Sequence, residues 1–335
     1  MSALDRRQFL KHSALLGVGA STAALGQGNG GDPKGEFSSL SRRLRGVHNF
    51  LTTPFLSDYA LDATGLEQNV AHHARAGARD MTIVVGGGLG ELFTLDSDEQ
   101  RALAQAAVAG AKGKLPVVVG AGGGYGTALR MARNAEAAGA DAVLLFSPPY
   151  GSGDPEGSYR YFKDIADAVS IGVILYPRGK EEHWPVTVRR LADVPNILGF
   201  KDASGGIEAG RSLGALIPDD FLWIAEGEQH AAKALPAGAR AYTSAVSVFV
   251  PEACRLFWKY GVAQRLDEMN DVLGEKIDPI VKLRGIRPGY GISAIKVALE
   301  ALGRAGGPVR PPGTMVLSED RERIAGIARQ DAEPH

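Results

Sequence analysis

Ala142-Val-Leu-Leu-Phe146, an amphipathic stretch from Ser158 to Ala168, and Ile171-Gly-Val-Ile-Leu-Tyr176 follow one another along the chain. Both flanking runs are short and apolar almost throughout, so neither keeps a face for water. Between them, apolar positions recur at helical spacing. A strand buried on both faces, a helix and a second such strand make the unit of a parallel sheet.

The same unit repeats in both directions. Upstream, β-branched apolar runs stand at Val47–Thr53, Met81–Val85 and Leu115–Val119, with helical stretches at Leu66–Ala76, Asp98–Ala111 and Thr127–Ala138. Downstream come Ile197–Lys201, Leu222–Ala225 and Ala241–Val246. Eight strand signals over about 220 residues predict a (β/α)8 TIM barrel of the α/β class rather than an open doubly wound sheet. The glycine-rich turns Gly86–Gly90 and Gly120–Gly126 lack the G-x-G-x-x-G spacing of a dinucleotide site. Beyond the eighth strand, Pro251–Gln330 reads mainly as helix with a break around Arg284–Gly291, predicting a C-terminal helical extension. The expected organisation is a barrel over 41–262 and a helical region over 263–335.

Composition narrows the function. Of 335 residues, 44% are hydrophobic and 22% charged, and 37 lysines and arginines face 38 aspartates and glutamates. A net charge of -1 offers no basic excess for a phosphate backbone, so no nucleic acid partner is expected. Cys254 is the single cysteine, which excludes an internal disulfide framework and a cysteine metal cluster. At the N-terminus, Arg6-Arg7-Gln-Phe-Leu-Lys11 precedes an uncharged apolar run from Ser13 to Gly26, too short to span a bilayer and laid out like a twin-arginine export signal. Residues 1–27 are read as that signal and 28–40 as a linker. The rest is expected without stable membrane insertion, in the periplasm or otherwise exported.

In a barrel, chemistry collects where strands end and βα loops begin. Lys201 closes the run Ile197-Leu-Gly-Phe200 at the barrel mouth. Desolvated there, its amine loses its proton more readily and can attack a ketone to form a Schiff base; the competing reading is a lysine that reaches solvent or pairs with Asp202. Tyr176 ends the preceding strand, where a phenol could shuttle protons or simply pack. The turn Gly87-Gly-Leu-Gly-Glu91 could present backbone N–H groups, backed by a helix N-terminus, to a carboxylate, or could be only a tight turn with positive φ. Glu226 and Glu228 are mouth carboxylates or helix caps with no role assigned. His72, His73 and His230 lack metal-ligand spacing and are read as surface or helix residues.

These landmarks, with Thr52-Thr-Pro-Phe55, Val118-Val-Gly-Ala-Gly122, Ser147-Pro-Pro-Tyr150 and Asn196-Ile-Leu-Gly-Phe-Lys-Asp-Ala-Ser204, resemble the dihydrodipicolinate synthase/N-acetylneuraminate lyase family. Gly86-Gly-Gly-Leu-Gly-Glu-Leu-Phe-Thr-Leu95, Thr243–Pro251 and Arg287–Lys296 look nearer to its 5-dehydro-4-deoxyglucarate dehydratase branch. The resemblance implies a barrel with C-terminal helices, a tetramer or dimer of identical chains, a Schiff base on Lys201 and a catalytic Tyr176. It also implies a relay completed by Tyr150 and a turn of Gly87, Gly88 and Leu89 that holds a keto acid's carboxylate. No metal or organic cofactor is implied. Two departures stand out: Gly88 and Leu89 replace the synthases' threonines, and Glu181 replaces the arginine five residues beyond the tyrosine.

The resulting expectation is a Schiff-base lyase or dehydratase acting on a 2-keto acid, such as a keto-deoxy sugar acid, with Thr243 and Ser244 toward the distal end of the substrate. The alternatives are a pyruvate-dependent aldolase or synthase-like enzyme with another acceptor, and an exported keto-acid-binding protein without turnover.

Overall fold

The computed structural model describes residues 33–333 except 78, 150–153, 179–183, 205 and 215. The eight expected strands form one closed parallel barrel: β1 (Gly46–Phe50), β2 (Met81–Val85), β3 (Val117–Ala121), β4 (Ala142–Phe146), β5 (Gly172–Tyr176), β6 (Ile197–Asp202), β7 (Leu222–Glu226) and β8 (Ala241–Ser244). Closure is made by β8 on β1, with Gly46 opposite Ala241 and Asn49 opposite Ser244. Apart from Glu226 at the tip of β7, every strand residue is buried. Helices cover the outer face as the periodicity requires: α2 (Ala63–Arg75), α3 (Ser97–Ala111), α4 (Tyr125–Ala138), α5 (Pro155–Ala166), α6 (Trp184–Leu191), α7 (Glu208–Gly214), α8 (Gly227–Ala234) and α9 (Pro251–Val262).

Where strand ends differ from the sequence reading, local chemistry explains it. Pro116, which has no N–H to give a ladder, delays β3 to Val117. The Ser244 hydroxyl accepts from the N–H groups of Val246 (3.2 Å) and Ser247 (2.9 Å), turning the chain out of β8 two residues before the apolar run ends. Within the stretch expected as linker, residues from Pro33 onward instead open a helix, α1 (Pro33–Arg43). Its Leu40, with Leu44 just beyond it, is buried, and Ser38 and Ser41 hydrogen-bond Asp220. This helix covers the end of the barrel where the strands begin. The expected export signal lies outside the described residues, among which no helix is long and apolar enough to cross a membrane.

The C-terminal extension is helical: α10 (Leu266–Val272), α11 (Asp278–Val281), α12 (Ser293–Ala301) and α13 (Ser318–Asp331), with a π turn at Leu273–Ile277 and a 3-10 turn at Lys282–Gly285. Asp320 clamps its break, accepting from Tyr290 Oη (2.8 Å) and Arg287 Nε (2.5 Å). That clamp helps hold the segment between Arg284 and Ile292, which lines the barrel mouth.

Candidate active site

At the mouth, three strand ends contribute three side chains to one contact. Lys201, the penultimate residue of β6, is 3% exposed and pairs through Nζ with Glu226 Oε1 at the tip of β7. Tyr176, which ends β5, donates its hydroxyl to the same Oε1 at 2.8 Å. The Lys201 ammonium also lies 3.8 Å from the centre of the Tyr176 ring and 5.8 Å from that of Phe50. The alternative pairing of Lys201 with Asp202 does not occur, because Asp202 turns outward to accept from Trp223 Nε1 (3.0 Å) and the Ser204 N–H (2.9 Å).

Burial sets the protonation states. It brings the Lys201 pKa from 10.5 down to about 8, outweighing the opposing pull of Glu226. At pH 7 that leaves about a tenth of the side chain as free amine, against well under a thousandth for an ordinary lysine. Burial, reinforced by the Glu226 charge, pushes the Tyr176 phenol well above its usual range, so it stays a neutral donor. For Glu226 burial acts upward too, but the Lys201 ammonium, the Tyr176 hydroxyl and Arg178 hold it below the usual carboxylate range. Its backbone is fixed by His230, whose Nδ1 accepts from the Glu226 N–H (3.3 Å) while Nε2 bonds the Gly206 carbonyl (2.8 Å).

The glycine turn forms the facing wall. Gly86 adopts φ +60°, and a Cβ on Gly87 would meet Phe50 Cε1 at 2.7 Å, whereas one on Gly88 would meet nothing within 4 Å. The Gly87 and Gly88 carbonyls accept from Leu92 (3.2 Å) and Glu91 (3.2 Å), and Thr53 Oγ1 donates to the Gly90 carbonyl at 2.6 Å. The N–H groups of Gly88 and Leu89 have no acceptor among the described residues. One expectation changes: the turn leads into a short 3-10 helix, Leu92–Thr94, not into α3. The first N–H groups of α3 are satisfied by the capping box of Asp96 and Glu99, so that helix terminus is not part of the site.

Together these elements enclose a cavity of about 370 Å³. Gly88, Leu89, Tyr176, Lys201, Thr243 and Ser244 line it, while Gly87 packs behind against Phe50. Thr243 and Ser244 are nearly buried and their hydroxyls are engaged: Thr243 Oγ1 accepts from the Gly227 N–H (3.1 Å), and Ser244 Oγ donates to Glu228 (2.6 Å). Tyr150 and Glu181 lie outside the described residues. His73 and His230 sit on helices as expected but are buried rather than on the surface. Arg178 and Arg284, which the sequence reading does not single out, also line the cavity, as does Glu226, to which it gives no role. One signal points to Glu226: Tyr176, Lys201 and Glu226 recur at equal intervals, each at or one residue short of the end of successive strands.

The chain matches the dihydrodipicolinate synthetase family over residues 43–331. It is 36% identical over 296 residues to a probable 5-dehydro-4-deoxyglucarate dehydratase of Streptomyces coelicolor, covering 86% of this chain and 91% of that protein. A Rhizobium meliloti protein with the same description is 34% identical over 291 residues, covering 86% and 96%. Among solved structures, dihydrodipicolinate synthase from Bacillus clausii superposes with a TM-score of 0.78 at 26% identity, covering 87% of this chain and 99% of that one. Matched over residues 43–331 and more than 30% identical to the Streptomyces and Rhizobium relatives along most of its length, the chain belongs to the dihydrodipicolinate synthetase family.

Proposed function

We propose that this protein is a Schiff-base dehydratase of a 2-keto acid that carries a second carboxylate, as in the keto-deoxy sugar acid named for its relatives. The observation that carries this reading is Lys201: a nearly buried amine with its pKa brought to about 8, on the wall of a cavity and touching a phenol. The free amine attacks the keto carbon, the carbonyl oxygen leaves as water, and the resulting iminium draws electrons from the adjacent C–H. Loss of that proton gives an enamine; the hydroxyl one carbon further along takes up a proton and leaves as water with its C–O electron pair, and hydrolysis of the iminium then frees the product and Lys201.

The N–H groups of Gly88 and Leu89, which meet no acceptor among the described residues, suit the carboxylate beside the keto group. Arg178 and Arg284 line the same cavity and suit a second carboxylate at the far end of the substrate. Arg284 is pre-positioned by donating Nε to the Gly291 carbonyl at 2.9 Å.

Turnover of 5-dehydro-4-deoxyglucarate, followed by mass spectrometry of the product, tests the reading. The expected result is substrate loss with release of water, abolished in a folded Lys201→Ala variant. Unchanged turnover by that variant contradicts it. We further propose export by the twin-arginine route, from Arg6-Arg7 and the apolar run behind them, and assembly of identical chains, from the family resemblance. Retention in the cytoplasm on Arg6→Lys with Arg7→Lys is the expected result for export.

A further inference from the structure

The contact between β5, β6 and β7 holds a base that the Schiff-base reading does not use. We propose that Glu226 is the proton-transfer group of this site, its Oε1 taking protons from Lys201 Nζ and passing them through the Tyr176 hydroxyl to the keto oxygen of the substrate. This rests on Lys201 being the amine that forms the Schiff base.

Geometry makes the argument. Two proton-bearing groups, Lys201 Nζ and Tyr176 Oη, converge on one carboxylate oxygen, so a proton can move from the first to the third without any side chain leaving its place. Lys201 is 3% exposed while Glu226 is 42% exposed, which puts the carboxylate between a sealed amine and open solvent. Among the described residues, no other side chain bonds both Lys201 and Tyr176. Residues 86–89 are three glycines and a leucine and carry no side-chain hydroxyl. Thr243 accepts from Gly227, and Ser244 is spent on Glu228. Glu228, its carboxyl held above the usual range chiefly by burial, accepts from Ser244 and bonds neither Lys201 nor Tyr176 among the described residues. Around Glu226, Arg178 beyond β5 and Lys201 favour its ionised form. His230 on α8 holds the Glu226 N–H, and Glu228 on α8 and Arg284 line the same cavity, while Asp202 on β6 faces away toward Trp223.

The proton count closes. The Lys201 ammonium starts with three protons and the iminium nitrogen ends with one. The two protons given up pass in turn over Glu226 and Tyr176 to the former carbonyl oxygen. That oxygen departs as water with the electron pair of its C–O bond, while the nitrogen lone pair forms the C=N bond. Glu226 ends as the carboxylate it began as.

The test is the rate at which pyruvate is trapped on Lys201 by cyanoborohydride, read by intact mass between about pH 6 and 9 in the full-length chain. Glu226→Gln keeps the shape and can still meet the Tyr176 hydroxyl, but cannot take a proton. The expected result is trapping about 100-fold slower across that range, with Glu226→Asp recovering most of the loss. A purely electrostatic role has the opposite sign. Glu226 raises the Lys201 pKa, so removing its charge leaves more free amine and trapping as fast as the parent or faster. That result overturns the proposal while leaving the Schiff base intact. Should Glu226→Gln fail to fold, Glu226→Ala with added formate is the second arm: formate-dependent recovery supports the proposal, and fast trapping without formate overturns it. An untrapped parent protein removes the Lys201 reading itself, and this proposal with it.

Discussion

Lys296 on α12 reaches under the glycine turn to Glu91: its Nζ lies 2.6 Å from Glu91 Oε1, with the two side chains 0% and 5% exposed. Glu91 holds φ +55° at the close of the turn, and its other oxygen accepts from the Arg310 N–H at 2.9 Å. The turn that faces the substrate is therefore anchored to the C-terminal extension by a buried ion pair. Removing one member strands the other charge in the interior, a change that costs about 3 to 5 kcal/mol. Lys296→Met should lower the unfolding free energy by that order, read as a lower denaturant midpoint at unchanged slope, and raise the KM for a keto acid. An unaltered midpoint would mean that the pair does not anchor the turn.

Burial of Lys201 carries its own cost. Its pKa is about 8 in the folded protein and 10.5 in an ordinary setting, so between those values the unfolded chain binds the extra proton and stability rises with pH. Below about pH 8 the full penalty applies, on the order of 3 kcal/mol, and above about pH 10.5 it is gone. Lys201→Met should therefore be more stable than the parent at pH 7, since the half-exposed Glu226 left behind is solvated by water. The advantage should shrink as pH climbs from about 8 to 10. Guanidinium unfolding at both ends of that range measures it, and a pH-independent difference would contradict the buried ammonium.

Neighbouring glycines should behave differently. Gly88→Ser adds a side chain into open space and should leave stability within about 0.5 kcal/mol of the parent. Gly87→Ala drives its methyl to 2.7 Å from the Phe50 ring, and should cost about 1 to 3 kcal/mol while weakening keto-acid binding. Thermal unfolding and KM separate the two, and equal effects would show that the turn is not packed on Phe50.

Arg284 should distinguish substrates. Arg284→Leu removes a guanidinium from the cavity wall, so KM for a six-carbon keto diacid should rise about 10-fold or more, as expected for a lost charged hydrogen bond. Trapping of pyruvate, which has no second carboxylate, should be little affected. Parallel losses for both would place Arg284 in structural support instead.

Much of this site could be read in the sequence because a parallel barrel repeats one local pattern. The run Ile197–Phe200 makes β6 a buried strand, and that alone carries Lys201 to the mouth. The partner of Lys201 was harder to read: Asp202 is its chain neighbour, but alternation along the strand turns Asp202 away toward Trp223, and the contact is made across strands by Glu226. Arg284 was beyond reach for a related reason. It comes from the C-terminal extension, and nothing local in Lys282–Gly285 reports that this segment folds back over the barrel. The helix at Pro33–Arg43 was obscured by the Gly/Asn/Asp-rich residues before it, and forms because Leu40 is buried with the strand starts.

The central claim is covalent chemistry at Lys201, and the most direct measurement is peptide mapping after cyanoborohydride reduction in the presence of keto acid. The chain supplies its own control, since Lys296 is a second buried lysine, paired with Glu91 behind the turn. One adduct per chain is expected, on the peptide that contains Lys201, absent from Lys201→Ala. A folded protein that takes no adduct, or takes it on Lys296, would contradict it.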